Sequence, residues 1–505
     1  MNDKIIDYIH YHPVRTQRGL EILTGMMPWL VIAFLVGGSF FAPVAVAYSI
    51  ILFNIYWLYR CFQLAYFSTL GYLNIRATQK VDWMKNISAD KKLSDRSKKI
   101  YQVVMNLNVK EPLPILERNI ESVLAQNFPL KNIVMVLSME DRAKEVDGPK
   151  ADYLLKKYKR RFGHMLVTWH KLVPGETIGK HSNEAFSARE VKKLLVDKLK
   201  IPIENITITT CDVDTVFPPQ YFSLLAYKFL TSDVPYNSFF QAPIFMHNNL
   251  HKIPLLVKLP SMIGGIYFLS VLQKYSKRFL NFSAYSLSLK LLEEVGYWDL
   301  DVIPEDAHLF FKCFFAKSGK VNVYPLFLPI SIDAAESHTR LGTFKNSYEQ
   351  NKRWAWGVVD IPYVIKNFFL HPEIPLWDKL IKISLSIETH FAWSTSWFLI
   401  TIGASIPTFL NPTFARTALG YNLSRTSSLI LTICLIGAVA ITVYDAMLNP
   451  KQKHKVLFLF HPLTYLQWLF LPITGLVFGS LQGLESQTRL MLGKYLGYRV
   501  TEKKA

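Results

Sequence analysis

An α/β domain inserted between membrane helices is the fold class this sequence predicts, and three observations predict it. Apolar stretches gather at 26–66 and again from 383 onward, while the middle of the chain alternates short β-branched runs with helix-period segments. Of the 505 residues 50% are hydrophobic and 19% charged, with a mean hydropathy of +0.17. That is too apolar for an ordinary soluble enzyme and too charged for a pure membrane bundle. The formal net charge is +19, and the Lys and Arg runs flank the apolar segments. Such flanks mark cytoplasmic loops and an anionic bilayer surface. With no RNA- or DNA-binding signature present, nucleic acid is not the expected partner.

The elements follow in order. Arg15 and Arg18 precede two apolar stretches, Met26–Phe41 and Pro43–Tyr66, separated only by Ala42-Pro43. These read as two membrane helices in a tight hairpin, the first short for a span of ~20 residues. The hairpin and the missing small-residue cleavage site argue against a signal peptide. Arg76, Lys80, Lys85, Lys91, Lys92, Arg96, Lys98 and Lys99 follow, which puts both hairpin ends in the cytoplasm. Strands are expected at Tyr101–Leu107, Asn132–Leu137, Met165–His170 and Ile206–Thr210, with a helix over Ile115–Gln126. This βαβ rhythm predicts a mostly parallel sheet with helices on both faces.

His251–Leu280 carries Lys252, Lys258, Lys274, Lys277 and Arg278 among apolar residues, and Pro254 and Pro260 make it a poor span. It reads as an amphipathic segment on the membrane surface, as does Tyr363–Lys382. Spans return at Ile383–Ile406 and Leu429–Leu448, followed by the basic run Lys451–Lys455. Val456–Leu484 is interrupted by Pro462 and Pro472, which leaves one span or a broken, re-entrant hairpin open; Arg489, Lys494, Arg499, Lys503 and Lys504 favour a cytoplasmic C-terminus. Glu388, His390 and Asp445 fall within or near spans, where ionisable groups mark a pathway or sit in the interface. The domains expected are therefore 1–75 with the hairpin, 76–375 as the cytosolic α/β domain, and 376–505 as the C-terminal membrane region and basic tail. The four cysteines, Cys61, Cys211, Cys313 and Cys434, are scattered and suggest neither a zinc site nor a disulfide framework.

Chemistry gathers at five places. The strand Ile206–Thr210 breaks into Asp212-Val213-Asp214, and strand carboxyl ends open into the crevice where α/β sheets bind ligands. Two carboxylates there can hold a hard divalent cation against a diphosphate; the plain alternative is a capped turn. Gly179-Lys180 opens a helix, where a lysine and backbone N–H groups suit a phosphate, though Gly-Lys before a helix is common. Phe282–Ser286 places small and polar residues before a helix ending at Gly296, with Trp298 packed behind. Pro304-Glu305-Asp306 opens a helix, where acids suit the macrodipole. One of them can also be a general base for a hydroxyl, but not both, since neighbours on a helix point about 100° apart. Gln350, Arg353 and Trp354 stand at i, i+3 and i+4 on one helix face. An amide, a guanidinium and an indole together suit a sugar–diphosphate, and the alternative is a helix lying against the bilayer.

In this order the motifs resemble the membrane-embedded family 2 glycosyltransferases, the group that contains cellulose, chitin and hyaluronan synthases and related bacterial polysaccharide synthases. The resemblance runs from about 100 to 357, and its most specific part is Gln350-Asn351-Lys352-Arg353-Trp354 before a span. Thr488-Arg489-Leu490 and Val500-Thr501-Glu502-Lys503 also look like the tail of bacterial members. The resemblance implies a GT-A-like, Rossmann-like mixed sheet and an inverting transfer from a nucleotide-diphosphate sugar, UDP- ahead of GDP-, to a glycan or lipid-linked acceptor. It implies Asp212 facing the nucleotide and sharing Mg²⁺ or Mn²⁺ with Asp214, and Asp306 as catalytic base with Glu305 beside it. It also implies Lys180 at the donor, and Gln350, Arg353 and Trp354 over donor and acceptor. Glu111, and Glu140 or Asp141, would be nucleotide contacts.

The sequence departs from the family where Asn108-Val109-Lys110-Glu111 stands for a Tyr-Asn-Glu-like turn and Ser138-Met139-Glu140-Asp141 for Asp-Asp-Gly-Ser. Pro304 replaces a frequent threonine. These changes leave uridine and guanosine open. The enzyme expected is a multi-pass protein of the cell inner membrane with its catalytic domain in the cytoplasm, engaged in extracellular polysaccharide synthesis or in single transfer to a lipid or short glycan. A transporter would want more spans and no such insert, and an inactive scaffold would not need Asp214, Asp306 and Arg353.

Overall fold

The computed structural model describes residues 2–275, 281–450 and 463–497. The basic run Lys451–Lys455, the start of Val456–Leu484, Lys277, Arg278 and the tail from Tyr498 lie outside the described residues. The chain divides into two compact units. One contains 1–70, 252–270 and 339–496; the other contains 71–251 and 271–338.

The second unit is built on a seven-stranded mixed sheet, an α/β architecture as expected from the sequence. Its strands are β1 (Tyr101–Asn108), β2 (Ile133–Glu140), β3 (His164–His170), β4 (Ile206–Asp212), β5 (Ser238–Gln241), β7 (Tyr285–Ser288) and β8 (Asn322–Pro325), in the order β3-β2-β1-β4-β7-β5-β8. β6 (Ile244–Phe245) and β9 (Ile330–Ser331) pair separately. β1 to β4 are parallel, so their carboxyl ends share one edge: Asn108 pairs with Met139, Leu107 with Asp212, and Glu140 with His170. β7 runs antiparallel between β4 and β5, and this insertion makes the sheet mixed.

The period of two in β2 shows how the sheet is clad. Ile133, Met135, Leu137 and Met139 enter a core with Ile115, Leu116, Ile120 and Val123 of the helix Leu113–Leu124 and Leu154 and Tyr158 of the helix Lys144–Tyr158. Val134 and Val136 are equally buried on the other face. There the helix Lys180–Lys192 packs on β1, β2 and β3 through Ala185, Ser187 and Ala188, and its Asn183 amide donates to the Ser138 carbonyl at 2.9 Å. Small residues let this helix lie close to the strands, which brings its first residue to the functional edge.

The first unit is helical. Pro13–Phe41 and Pro43–Gln79 extend well beyond the apolar stretches and break only at Ala42. Leu35 packs against Val46 and Ile50, as a hairpin requires. Four helices among the described residues are long and apolar enough to cross a membrane: these two, Leu255–Lys274 and 418–448. Leu255–Lys274 departs from the expected surface segment. Pro260 lies within its first turns and leaves the 20-residue helix continuous. Conversely, the expected span at Ile383–Ile406 lies on the helix Leu376–Thr401, which is long enough but is not among the four. Ser384, Ser386, Glu388, Thr389, His390, Ser394, Thr395 and Ser396 dilute its apolar character. Glu388 pairs with Arg60 and accepts from the Tyr56 hydroxyl at 2.5 Å. Tyr363–Lys382 is not one segment: the helix Asp360–Leu370 ends before Pro372, and Pro375 caps the next. The described part of 456–484 is a broken series of short helices followed by Leu481–Met491.

Candidate active site

The carboxyl edge of the sheet carries a cluster of charged residues. β4 delivers Asp212, and a turn in which the Thr215 N–H donates to the Asp212 carbonyl at 3.0 Å carries the chain past Asp214. Asp214 is buried at 3% exposure and fixed from outside the turn: its Oδ2 accepts the Asp333 N–H at 3.1 Å and its carbonyl accepts the Asn248 amide at 2.9 Å. Asp333 is in turn gripped by Arg118 at 2.7 and 2.8 Å. Asp212 is more open, with 38% of its side chain exposed. The two carboxylates thus differ, one locked in the wall and one presented at the edge.

Lys180, first residue of its helix, lies among carboxylates. Its Nζ is 3.2 Å from Glu305 Oε1 and 3.6 Å from both Asp212 Oδ1 and Glu184 Oε1, and it donates to the Ser283 carbonyl at 2.9 Å. Burial opposes its charge, but Asp212, Glu184 and Glu305 together hold its pKa well above the ordinary lysine value. Glu184, one turn along, is fully buried and pushed up to about 8 by that burial, with Lys180 pulling the other way and Glu305 adding to the rise. It receives a close hydrogen bond from the Thr210 hydroxyl.

Glu305 and Asp306 occupy the first turn of the helix Glu305–Ala316. Asp306 Oδ2 accepts the Ser283 N–H at 2.7 Å and Oδ1 accepts the Ala307 N–H at 2.8 Å. Burial and the neighbouring Glu305 raise its carboxyl to about 6, against these hydrogen bonds and Lys180. Ser283 is the hub of this corner. Its φ is +53°, a left-handed conformation unusual for serine, and its hydroxyl also reaches Asp212 Oδ2 at 3.3 Å.

The ends of β1 and β2 form a second polar group. Asn108 and the Lys110 N–H donate to Asp147 Oδ2 at 3.0 and 2.8 Å, and Lys150 bridges Asp147 Oδ1 and the Glu111 carbonyl, both at 2.8 Å. Glu111 is buried, with its N–H donating to Asn108 Oδ1 at 3.3 Å. Glu140 is buried beside Arg142, with which it forms a close ion pair. Behind β3, Glu176 accepts from His170 at 3.0 Å, and the Thr177 N–H donates to the Leu300 carbonyl at 2.9 Å. Burial lowers the pKa of His181, whose Nε2 lies 2.9 Å from the Thr177 hydroxyl.

The structure brings Lys180, Asp212, Glu305 and Asp306 into one cluster and holds Asp214 in the same turn as Asp212. Gln350, Arg353 and Trp354 belong to the other unit, on the helix Arg340–Ala355 capped by the Thr339 hydroxyl at 2.9 Å. Asn351 and Lys352 face their neighbours there, bonding the Phe478 carbonyl at 3.2 Å and Glu485 at 3.2 Å. The other side of the helix presents Trp354 with 39% exposure. Sequence reasoning missed Glu184 and Asp147 as site residues, and it singled out Phe282–Ser286 without giving Ser283 a role. Glu184 lies one turn after Lys180, a spacing that signals a shared helix face. Among the described residues, no group of three or more His, Cys, Asp or Glu side chains is arranged to hold a metal ion.

Residues 207–449 match the family model described as glycosyl transferase family group 2. No curated protein matches the chain. Among solved structures, it is similar to a mannosyltransferase, PcManGT from Pyrobaculum calidifontis, in complex with GDP-Man and Mn2+: 12% identity, 79% of this chain and 98% of that one, TM-score 0.42. It is also similar to S. aureus TarS 1-349 in complex with UDP-GlcNAc, at 11% identity over 67% of this chain and 91% of that one, TM-score 0.36. A third is GalNAc-T7 with UDP, GalNAc and Mn2+, at 10% identity over 60% and 57%, TM-score 0.31. The segment that matches the model of glycosyl transferase family group 2 carries β4 with Asp212 and Asp214, the helix start at Glu305 and Asp306, and the helix of Gln350, Arg353 and Trp354.

Proposed function

We propose that this glycosyltransferase moves a sugar, with inversion, from a nucleotide-diphosphate sugar to a hydroxyl of a glycan or lipid-linked acceptor. The observation that carries the reading is Asp306. It is a carboxylate held by two backbone N–H groups, raised by burial to about 6, beside Lys180 and Asp212 at the sheet's carboxyl edge. A base for a hydroxyl should be ionised at working pH yet basic enough to take a proton, and a pKa near 6 meets both demands. Each Asp306 oxygen keeps a lone pair beyond its backbone bond. As the acceptor oxygen bonds to the anomeric carbon, its proton passes to Asp306. The bond from that carbon to the phosphate oxygen breaks, and the nucleoside diphosphate leaves with the electron pair. Glu305 is the lesser candidate because Lys180 engages its carboxylate at 3.2 Å.

Asp212 and Asp214 are hard oxygen donors, and a small divalent ion is commonly held by one or two carboxylates with substrate phosphates and water completing the shell. The pair therefore fits Mg²⁺ or Mn²⁺. When bound, the ion would supply positive charge against the diphosphate. Lys180 would orient the donor through the same cluster, Glu111 and Glu140 would line the nucleotide, and Gln350, Arg353 and Trp354 would meet the diphosphate and the sugar. A UDP-sugar is preferred to a GDP-sugar as donor. The protein would be a multi-pass inner-membrane enzyme with the catalytic unit in the cytoplasm, serving extracellular polysaccharide synthesis.

The test is Asp306→Asn, which keeps size and removes the basic site. Turnover should fall ~10²–10⁴-fold with nucleotide affinity nearly unchanged by calorimetry. Arg353→Ala should lower both. Near-normal turnover in Asp306→Asn would place the base elsewhere.

A further inference from the structure

Beyond the transfer reaction, we infer that the helical unit holds an anionic phospholipid in a groove between the N-terminal span and the helix Leu481–Met491. The groove is open to the surface and offers about 490 Å³, within the range of sites that take a whole small ligand. Trp29, Leu481 and Leu484 give it apolar walls, and Arg489 and Lys494 stand on it as cations. Trp29 is 42% exposed on a helix able to cross a membrane, and an indole in that setting belongs at the headgroup level.

The positive charge is available, and the local bonding shows why. A helix C-terminus normally consumes nearby cations through its open carbonyls. Here Arg18 takes them: one nitrogen donates to the Leu490 carbonyl at 2.7 Å, and the other makes a close bond to Met491. Gly493, at φ +68°, then turns the chain so that the Lys494 N–H reaches the Arg489 carbonyl at 2.8 Å. Lys494 is thereby placed over the last turn, exposed and without a salt bridge among the described residues. Among the described residues Glu485 is the one acid lining the groove, and three donors engage it: Tyr348 at 2.9 Å, Lys352 at 3.2 Å and Arg489 Nε at 2.9 Å. Only Nε of Arg489 is used among the described residues, so the two terminal nitrogens of the guanidinium remain as a fork for phosphate oxygens. The indole N–H of Trp29 donates to the Thr488 hydroxyl at 2.9 Å, which fixes the ring as a wall. A fork, an ammonium and an apolar wall match a phosphodiester carrying acyl chains. They do not match a zwitterionic headgroup equally well, whose ammonium would meet the same cations.

The experiment is native mass spectrometry of the full chain in detergent, titrated with phosphatidylglycerol or with phosphatidylcholine of the same acyl chains. Wild type should retain one more phosphatidylglycerol than the Arg489→Gln/Lys494→Gln double variant, and should retain phosphatidylcholine less well. Affinity at this site should fall about five-fold for each charge removed. Lys494→Gln alone leaves the Arg489–Glu485 pair intact, so a loss there is not a folding defect. Lys91→Gln/Lys92→Gln, on exposed lysines of the other unit, should change nothing. Equal retention by wild type and double variant, or equal retention of the two lipids, would overturn the inference. So would full displacement by millimolar inorganic phosphate, which would make the groove a site for free anions.

Discussion

At the scale of residues, the cluster around Lys180 sets one ammonium against Glu184, Asp212, Glu305 and the nearby Asp306. Burial raises both Glu184 and Asp306, to about 8 and about 6. If Asp306 is the base, kcat/KM should fall as pH drops through about 6, and Asp306→Asn should lose that limb; a limb unchanged in the variant would assign it to another group. The stability signs of the two partners agree, and their pH windows differ. The raised Glu184 contributes stability that is full below its unfolded value, ~4.3, and lost as pH rises through about 8. The raised Lys180 contributes stability across the neutral range that is lost only above the ordinary lysine value. Lys180→Met would leave buried carboxylates without their cation, which typically costs ~3–5 kcal/mol. Its deficit in melting temperature should be large at pH 8 and shrink toward pH 5.5 as the carboxylates take protons. A deficit independent of pH would mean that Lys180 matters for packing instead.

At the scale of elements, helix crossings depend on single glycines. A Cβ at Gly25 would meet the Met491 Cβ at 2.7 Å and its N at 2.8 Å, whereas one at Gly37 would meet nothing within 4 Å. The helices Pro13–Phe41 and Leu481–Met491 therefore touch backbone to backbone at Gly25, as small residues permit. Gly25→Leu should force them apart and lower the melting temperature in detergent, and Gly37→Leu should not; equal effects would deny the close crossing. Legibility also divides by element. β1 to β4 were readable because each is a long, β-branched or apolar run bounded by turns. β5, β7 and β8 were not. Each has four residues, and Tyr285–Ser288 becomes a strand only by docking against β4, where Ser286 bonds Thr209 hydroxyl to hydroxyl at 2.7 Å. Site residues divide in the same way. Asp212, Asp214, Lys180, Glu305 and Asp306 announce themselves as charges at strand and helix ends. Ser283 and Asp147 act through partners that only the folded chain brings near, Lys180 for the one and Asn108 for the other. The proline-based reading of 251–280 expected the prolines to interrupt it, but Pro254 precedes the helix and Pro260, although inside it, leaves it continuous.

At the scale of the molecule, a mixed sheet and a set of membrane-capable helices share one chain, and the basic flanks argue for the sheet in the cytoplasm. A cysteine at the exposed Glu145 should be shielded from an impermeant thiol reagent in intact cells and labelled after lysis. The native Cys211 and Cys313 are buried and give little background. Labelling without lysis would reverse the orientation and remove the cytoplasmic nucleotide sugar as donor.

Ser283 offers its N–H to Asp306, its carbonyl to Lys180 and its hydroxyl to Asp212. The Asp306 carboxylate, the Lys180 ammonium and the edge carboxylate are thus moored to one residue. A shift of Ser283 by about one ångström is enough to take a hydrogen bond past its working length, so no such shift leaves all three bonds intact. The alignment of the three groups is therefore set together at this one position.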